Sequence, residues 1–297
     1  MTDHEVLAPA KVNLFLHVGR PDADGYHPIA SLAVFADVGD RLSVRDAERF
    51  CVRAAGPCAE GVPEDNDNLV ARAVRALFAP HPPPALAVTI DKRLPVAAGL
   101  GGGSSDAAAL VRLLARRWNL GEDALARAAA AIGSDGAACL AAEPVLMTGR
   151  GERLAPAPRL PTLHAVLLNP RAPCSTGAVY RVFDEQEEGE ADMPEFPAEG
   201  FATAASLIVW LAERTRNDLE HPAAAVQPAA AEVLDVLRQA GGAGLVRMSG
   251  SGATAFALFE QAADRDAAAH ALRRLRPEWW TQPCRFEDLR GRAAASR

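Results

Sequence analysis

A glycine-rich segment between two regular patterns constrains this chain more than any other feature. Residues 86–90 alternate as a strand does, and residues 105–118 carry apolar side chains at helical spacing. The run between them, Leu94-Pro-Val-Ala-Ala-Gly-Leu-Gly-Gly-Gly-Ser-Ser105, fits neither element. Glycine tolerates positive φ and admits a ligand close to the backbone, and successive amides ahead of a helix N-terminus attract anions. The segment therefore predicts a phosphate-binding loop. The alternative is a flexible connector, which costs conformational entropy unless something orders it.

The loop differs from several well-known nucleotide-binding patterns. It lacks the Gly-Lys-Ser/Thr of a Walker A loop, and Ser104 stands where Gly-x-Gly-x-x-Gly requires its third glycine. The chain contains neither His-Arg-Asp nor Asp-Phe-Gly, which excludes the protein-kinase set. Ser104 and Ser105 are placed either to cap the following helix or to donate to phosphate oxygens.

Composition and charge exclude several classes of protein. At roughly 150 residues per domain, 297 residues indicate about two domains or one large one. A net charge of −7 with a pI of about 5.6 argues against nucleic-acid binding. Five cysteines without a Cys-x-x-Cys pair favour a reducing compartment over a disulfide framework or a zinc site. With no signal-peptide pattern and no apolar run of about 20 residues, we expect a cytoplasmic protein that binds no membrane and needs no evident protein partner.

Lysine is rare in this chain. Of the 31 basic residues, Lys11 and Lys92 are lysine and the other 29 are arginine. An ammonium is a compact point charge that the planar guanidinium does not mimic, so positions that remain lysine are candidates for a specific role.

The other patterns predict strands and helices without strict alternation, which indicates an α+β fold. The run Asp37-Val-Gly-Asp40 is interpreted as a turn between two strands. Strands are expected at residues 12–18, 29–35, 41–45, 86–90, 163–168, 244–248, 254–259 and 281–286. Helices are expected at residues 68–79, 105–118, 123–132, 175–184, 203–215, 228–240 and 262–275.

A proline cluster, Ala155-Pro-Ala-Pro-Arg-Leu-Pro161, marks the expected domain boundary. We predict an N-terminal domain at residues 1–158, which holds the glycine loop, and a C-terminal domain at residues 159–292. The tail at residues 293–297 is expected to fray. The acidic run at residues 185–192 is interpreted as a solvated loop.

Three motifs together resemble one family. Pro9-Ala-Lys-Val-Asn-Leu14, the loop pattern Pro95-x-x-x-Gly99-Leu-x-x-x-Ser-Ser105 and Met248-Ser-Gly-Ser-Gly-Ala-Thr254 follow the order of the three motifs of the GHMP kinases. That family includes galactokinase, homoserine kinase and mevalonate kinase. The resemblance implies a two-domain GHMP kinase fold, with an N-terminal α/β domain similar to the second domain of ribosomal protein S5 and a C-terminal ferredoxin-like α+β domain. It also implies ATP as the phosphoryl donor, with Mg²⁺.

Further segments resemble one branch of that family, the kinases of a cytidyl substrate. The resemblance covers nearly the whole chain, and Asp-Gly-Tyr-His is its most discriminating part. It implies ATP-dependent phosphorylation of the 2-hydroxyl of 4-diphosphocytidyl-2-C-methyl-D-erythritol, in non-mevalonate isoprenoid biosynthesis. The alternatives are a GHMP kinase for mevalonate-like or sugar substrates and a catalytically silent nucleotide or sugar sensor. The segments are 8–16, Asp24-Gly-Tyr-His27, Asp67-Asn-Leu69, Asp91-Lys-Arg-Leu-Pro95 and Asn217-Asp-Leu219.

The resemblance assigns the reaction to a lysine and an aspartate. Asp135 would accept the proton of the substrate hydroxyl, and Lys11 would keep Asp135 ionised and stabilise charge on the transferring oxygens. The family has Val-Pro after this aspartate, whereas Gly136 follows it here, so we expect a freer backbone after Asp135. Outside the motifs, Asp135 also fits a turn or helix-cap residue, and Lys11 fits an exposed lysine.

By the same resemblance, the glycine loop would bind the ATP phosphates, while Asn68 and Lys92 would lie at the adenosine end. Asn68 fits a helix N-cap equally well. Ser104, Asp106 or Asp135 could reach Mg²⁺, and the sequence does not choose among them. The ATP-binding loop residues are Pro95, Val96, Ala97, Ala98, Gly99, Leu100, Gly101, Gly102, Gly103, Ser104 and Ser105.

Substrate recognition is assigned by resemblance as well. Tyr26 would stack on cytosine, His27 would read the edge of the base, and Asn13 would face the methylerythritol hydroxyls. Tyr180 aligns with a second aromatic position, and Thr176 lies near it. Both tyrosines of the chain fall at these positions, although Tyr26 also fits a residue that packs within a turn.

Overall fold

The computed structural model describes residues 4–186 and 189–287. Within these residues lie ten β-strands and nine α-helices, which confirms the α+β class. The strands are β1 (His4–Val18), β2 (Ile29–Asp46), β3 (Cys51–Ala55), β4 (Leu86–Asp91), β5 (Val145–Thr148), β6 (Arg153–Pro156), β7 (Leu163–Asn169), β8 (Leu245–Met248), β9 (Ala255–Phe259) and β10 (Trp280–Phe286). The helices are α1 (Leu69–Phe78), α2 (Gly102–Trp118), α3 (Glu122–Ile132), α4 (Gly136–Ala141), α5 (Thr176–Asp184), α6 (Ala204–Arg214), α7 (Glu220–Val226), α8 (Pro228–Gln239) and α9 (Ala262–Leu275).

The described chain forms two compact units that interleave along the sequence. The first unit takes the residues up to Lys11, Val38–Val96 and Gly101–Ala142. The second takes Val12–Asp37, Ala97–Leu100 and the residues from Glu143 onward. The boundary at residue 158 between an N-terminal and a C-terminal domain stays a prediction.

The first unit combines a short sheet with four helices. β3 runs parallel to β4, and β4 runs antiparallel to the second half of β2, with Asp91 opposite Arg41. α1 packs against α2 and α3, and α2 packs against α4. Burying apolar side chains of these helices supplies much of the stability of such a unit. The buried residues of α1 are Val70, Ala71, Ala73, Val74 and Leu77.

The turn predicted at Asp37-Val-Gly-Asp40 is wrong, because β2 continues through it. Asp40 is fully buried, and its carboxylate accepts the backbone N–H groups of Arg93 and Leu94 at 2.6 and 2.8 Å. A Cβ at Gly39 would overlap the backbone carbonyl of Ala8 in β1. Gly39 therefore permits β1 and β2 to approach closely. Asp40 accepts hydrogen bonds from buried backbone groups, and neither residue forms a turn.

The second unit has an antiparallel sheet and a large apolar core. The first half of β2 pairs with β5 and meets β10 at Ala36, and the order continues through β7 and β9 to β8. Side chains from β7 and β9 pack with α5, α7, α8 and α9 in one continuous cluster. Its largest fully buried side chain is Phe259.

Most predicted elements are confirmed within one to three residues, except that β1 begins well before residue 12. The glycine loop is shorter than predicted, because α2 begins at Gly102 and not near Ser105. The sequence patterns predict none of β3, β5, β6, α4 and α7. The tail at residues 293–297 lies outside the described residues.

Part of the predicted acidic loop is held by hydrogen bonds. The carbonyl of Asp192 accepts a hydrogen bond from Nδ1 of His17, at 2.7 Å, and Nε2 of His17 accepts the backbone N–H of Arg216. Burial lowers the pKa of His17, which agrees with a neutral ring that donates at one nitrogen and accepts at the other. Residues 187 and 188 lie outside the described residues.

None of the helices in residues 4–186 and 189–287 combines the length and apolar character needed to cross a lipid bilayer.

The close approach at Gly39 predicts a large effect of a single methyl group. Gly39→Ala should lower the free energy of unfolding by about 1–3 kcal/mol or more, because the atom it meets is a backbone carbonyl that has little room to move. Gly177→Ala is the control: its Cβ would lie 3.8 Å from the end of the flexible Arg181 side chain, so it should stay within about 0.5 kcal/mol of wild type. Denaturant unfolding of both variants measures the difference. Equal stability of the two variants would contradict the role given to Gly39.

Candidate active site

The two residues predicted for catalysis form a direct ion pair in the first unit. Nζ of Lys11 lies 2.8 Å from Oδ1 of Asp135. The Lys11 side chain is 6% exposed and the Asp135 side chain 25% exposed, so the carboxylate keeps access to a ligand. A Cβ at Gly101 would lie 3.2 Å from Oδ2 of Asp135. The pair therefore lies directly against the start of α2, the helix that follows the glycine loop.

Gly136 does not loosen the backbone after Asp135, and that expectation is wrong. Gly136 is the buried first residue of α4, and a Cβ there would overlap the carbonyl of Ala129 in α3. Its N–H donates to the carbonyl of Gly133, at 2.8 Å. The glycine is required because α3 and α4 pack closely, and this packing fixes the turn that carries Asp135.

Lys92 lies in a second buried ion cluster of the first unit. Its ammonium donates to Oδ2 of Asp40 and, at 2.8 Å, to Oδ2 of Asp106 in α2. All three residues are at most 3% exposed. We call Asp40, Lys92 and Asp106 the buried triad. Its ammonium is bonded to these two carboxylates. The expectation that Lys92 binds the adenosine end of ATP stays a prediction.

The buried triad contains one ammonium and two carboxyl groups. Their burial and mutual charges shift the pKa values of Lys92 and Asp106. Burial raises the pKa of Asp106 to about 7, with the nearby Asp40 carboxylate adding to the shift and Lys92 opposing it. Oδ1 of Asp106 has no hydrogen-bond partner among the described residues. Burial by itself would lower the pKa of Lys92, but the two carboxylates outweigh it and raise that pKa. The ammonium therefore stays charged, and Asp106 binds a proton at a higher pH than an exposed aspartate does.

The C-terminal end of the glycine loop belongs to the first unit and forms the first turn of α2. Gly101 precedes the helix with a φ of 59°, which favours glycine. A Cβ at Gly102 would lie 3.1 Å from Nζ of Lys92, whereas Gly103 has open space beyond a 3.8 Å contact with Leu69. The hydroxyl of Ser105 donates to the carbonyl of Pro9, at 2.7 Å, so it joins the loop to the first motif.

The middle of the loop, Ala97–Leu100, belongs to the second unit and contacts the third motif there. The hydroxyl of Ser249 donates to the carbonyl of Gly99, at 2.9 Å, and the N–H of Thr254 donates to the carbonyl of Ala98, at 3.2 Å. Nδ2 of Asn217 donates to the carbonyls of Met248 and Gly250. The motif that contains Asn217 thus holds the turn of the third motif in shape.

Asn68 is the N-cap of α1. Its Oδ1 accepts the N–H of Val70 at 2.8 Å, and its Nδ2 donates to the carbonyl of Pro63 at 2.6 Å. These bonds fulfil the capping role that the sequence left open. A further role at the adenosine end of ATP stays a prediction.

Residues predicted to bind substrate are grouped in the second unit. The ring of His27 lies 4.8 Å from that of Tyr180, its Nδ1 donates to the carbonyl of Gly19, and its Nε2 lies 3.2 Å from Oδ1 of Asp184. Thr176, Tyr180 and Asp184 follow one another at a spacing of four along α5, which places them on one helix face. The hydroxyl of Thr176 lies 2.8 Å from that of Ser251 in the third motif.

Two other substrate candidates differ sharply in exposure. Asn13 is 3% exposed, and its Nδ2 donates to the hydroxyl of Ser31 at 2.8 Å. Tyr26 is 59% exposed, and the guanidinium of Arg150 lies over its ring, with 4.3 Å between Cζ and the ring centroid.

Sequence reasoning did not identify Asp40, Asp184 and Arg150 as candidate site residues. Each contacts a predicted site residue that is far away in the sequence, namely Lys92, His27 and Tyr26.

The residues that the structure describes contain no cluster of metal-ligating side chains. Among the described residues, no group of three or more His, Cys, Asp and Glu side chains could hold a metal ion.

Family models identify both parts of the chain. The model described as "GHMP kinases N terminal domain" matches residues 68–143, and "GHMP kinases C terminal" matches residues 193–278. The chain belongs to the GHMP kinase family. Membership of this family implies the use of ATP. The chain has the GHMP kinase fold, which consists of an N-terminal and a C-terminal domain.

Two curated relatives of this GHMP kinase carry the same enzyme name. A 4-diphosphocytidyl-2-C-methyl-D-erythritol kinase from Caulobacter vibrioides is 51% identical over 295 residues, which covers 95% of this chain and 99% of the relative. The enzyme of the same name from Ruegeria pomeroyi is 44% identical over 278 residues, covering 93% and 96%.

Solved structures agree with this result. The crystal structure of a 4-(cytidine 5'-diphospho)-2C-methyl-D-erythritol kinase is 33% identical, with a TM-score of 0.74 and coverage of 95% of this chain and 99% of that one. An L. major mevalonate kinase with bound R-mevalonate is 17% identical, with a TM-score of 0.65 and 97% coverage of each chain, and shows the fold alone.

The raised pKa of Asp106 predicts a pH-dependent stability. An unfolded aspartate has a pKa of about 4, so the unfolded chain releases this proton near pH 4. The folded GHMP kinase keeps the proton on Asp106 up to about pH 7. This contribution to stability is fully present below about pH 4 and is lost as pH rises through about 7. Asp106→Asn removes it. The unfolding free energy of the variant should therefore rise relative to wild type between about pH 4 and pH 7 and level off above that.

Denaturant unfolding at several pH values measures this difference. The control is Asp123→Asn, at an exposed position in the first turn of α3, which should track wild type across the range. If Asp106→Asn tracks wild type as well, Asp106 is ionised throughout and the charge assignment in the buried triad fails.

Proposed function

We propose that this GHMP kinase transfers the γ-phosphoryl group of ATP to the 2-hydroxyl of 4-diphosphocytidyl-2-C-methyl-D-erythritol. The observation that carries the chemistry is the Lys11–Asp135 ion pair at 2.8 Å, packed against Gly101. The choice of substrate is supported by relatives of that enzyme name that are 51% and 52% identical over nearly the full length. We place the protein in the cytoplasm, acting without a partner protein.

The pair supplies both charges that the reaction needs. Asp135 takes the proton of the substrate hydroxyl, the hydroxyl oxygen bonds to the γ-phosphorus, and the bond from that phosphorus to the bridging oxygen breaks, releasing ADP. Lys11 holds the carboxylate in place through one oxygen, which leaves the other to accept the proton. Its ammonium also stabilises negative charge on the transferring oxygens, which a preorganised cation does at little reorganisation cost.

ATP and its metal ion are assigned to the glycine loop. The backbone amides around Gly102 and Gly103 begin α2, and a helix N-terminus favours phosphate oxygens. Mg²⁺ would neutralise the β- and γ-phosphate oxygens. Of the three candidate side chains, Asp106 is buried and bonded to Lys92, and Asp135 is assigned the proton of the substrate, so Ser104 is the side chain proposed to hold the ion.

The cytidyl group is assigned to the second unit. Tyr26 stacks on cytosine and Tyr180 provides the second aromatic side chain, with Thr176 near it. His27 reads the base edge through Nε2, because its other partner Asp184 is 43% exposed and can give way to a ligand. Asn13 faces the methylerythritol hydroxyls.

A comparison of three acceptors tests the proposed function. The purified chain with ATP and Mg²⁺ should consume ATP with 4-diphosphocytidyl-2-C-methyl-D-erythritol and show at most background consumption with mevalonate or homoserine. The product should carry phosphate on the 2-hydroxyl, as measured by phosphorus NMR. Preference for another acceptor would assign a different GHMP substrate, and no turnover with any acceptor would favour a catalytically silent protein.

Asp135→Asn tests the catalytic assignment. The change keeps size but removes the proton acceptor, so turnover should fall by about 10²–10⁴-fold. The KM for ATP should change little, because the glycine loop is intact. Asp235→Asn, at an exposed position in α8, is the matched control. Turnover near wild type in Asp135→Asn would place the base elsewhere.

A further inference from the structure

Arg150 is an unexpected neighbour of the tyrosine assigned to cytosine. Its guanidinium lies over one face of the Tyr26 ring, with 4.3 Å between Cζ and the centroid. Tyr26 is 59% exposed, so Arg150 covers part of a ring that is otherwise open to solvent. A cation within about 6 Å of an aromatic face is attracted to it. Arg150 therefore blocks one ring face and leaves the other for a ligand.

Two carboxylates hold this guanidinium in place. Nη2 of Arg150 lies 2.6 Å from Oδ2 of Asp22 and 2.9 Å from Oδ2 of Asp24, and Nε lies 3.1 Å from the same oxygen of Asp22. The hydrogen bonds from Arg150 lower the pKa of Asp22, assisted by the N–H of Tyr26. An exposed pair contributes little alone, but here two carboxylates and an aromatic ring share one planar cation.

Asp22 also shapes the turn that presents Tyr26. Its Oδ1 accepts the N–H groups of Asp24 and Tyr26, both at 3.0 Å, and its own N–H donates to the carbonyl of Tyr26 at 2.7 Å. Gly25 has a φ of 78°, which suits glycine in this turn. One carboxylate therefore fixes the tyrosine backbone through one oxygen and the cation over its ring through the other.

The hairpin that carries Arg150 is attached to the same segment. β5 and β6 pair with Thr148 opposite Arg153, so Arg150 lies in their connecting turn. The carbonyl of Gly149 accepts the N–H of Ile29, two residues after His27, at 2.7 Å. Glu152 accepts the N–H of Arg150 at 2.6 Å, which holds the turn in shape. The position of Arg150 relative to Tyr26 is thus set by backbone bonds as well as by charge.

We propose that Arg150 is a positioning residue for nucleobase binding: it covers one face of Tyr26, holds the ring in one orientation, and directs cytosine to the opposite face. This inference rests on the proposed function, because it needs a base that stacks on Tyr26. An exposed tyrosine that is already ordered loses less side-chain entropy when a ligand stacks on it. Arg150 therefore strengthens substrate binding without touching the reacting atoms.

Kinetics of variants at Arg150 test the proposal. Arg150→Met keeps the aliphatic stem but removes the charge and the planar group, so the KM for the cytidyl substrate should rise about three- to tenfold. The kcat and the KM for ATP should stay within about twofold. Arg150→Lys should fall between wild type and Arg150→Met, because a lysine keeps the charge and loses the planar fork. Arg153→Met, 78% exposed on the same hairpin, is the matched control and should behave as wild type.

A double mutant separates positioning of Tyr26 from a general effect on the hairpin. Tyr26→Ala should raise the cytidyl KM about ten- to a hundredfold through lost stacking. Adding Arg150→Met to Tyr26→Ala should then change that KM by less than about twofold, because there is no ring left to position. Calorimetric binding of CDP, with saturating ADP in the nucleotide site, gives the same comparison without turnover.

The outcomes distinguish this inference from the proposed function. If wild type phosphorylates the cytidyl substrate and Arg150→Met has an unchanged cytidyl KM, the role of Arg150 is overturned and the function stands. That role is also overturned if Arg150→Met is equally damaging with and without Tyr26, or if it raises the KM for ATP as much. If wild type neither uses the cytidyl substrate nor binds CDP, both proposals are overturned.

Discussion

A single buried ammonium determines how the glycine loop is held at both ends. Asp40 binds Lys92 and accepts the N–H groups of Arg93 and Leu94, just before the loop, while Lys92 also binds Asp106, just after it. Removing Lys92 from this cluster would leave an uncompensated buried carboxylate, which proteins tolerate poorly. Because Asp40 must reach these partners from a strand, β2 has to run unbroken through the residues that resemble a turn. The buried triad thus links the strand, the segment before the loop and the helix after it.

Both lysines of the chain are buried in compact ion pairs. Lys11 and Lys92 are 5% and 3% exposed, and each ammonium contacts a carboxylate in the first unit. A compact ammonium fits between closely packed backbone segments, such as those around Gly101 and Gly102, where a planar guanidinium would need more room. Arginine serves instead where a planar group is useful, as in the contact of Arg150 with Tyr26. The scarcity of lysine was therefore an informative feature of the sequence.

Sequence reasoning predicted the features that depend on neighbours in the chain. Periodicity located most strands and helices, and the glycine loop, the turn at Asp135 and the cap at Asn68 are each recognisable within a few residues. The failures involve partners far away. Gly39 and Gly136 look flexible in the sequence, yet each is required because another backbone segment, near Ala8 or Ala129, lies against it. Periodicity and turn propensity report on local geometry, so they contain no information about such contacts.

The residues proposed for catalysis and those proposed for substrate recognition differ in how tightly they are packed. Lys11 is buried and its partner Asp135 is mostly buried, in a tightly packed setting where a changed side chain has a large energetic effect. Tyr26 and Arg150 are 59% exposed and 43% exposed at the side chain, where solvent weakens each contact and substitutions cost less. If Tyr26 binds the base and Asp135 accepts the proton, as proposed, the exposed turn at Asp22–Tyr26 can change with the substrate while the packed Lys11–Asp135 pair stays the same. Substrate preference and phosphoryl transfer would then depend on different parts of the chain, one exposed to solvent and one packed against Gly101.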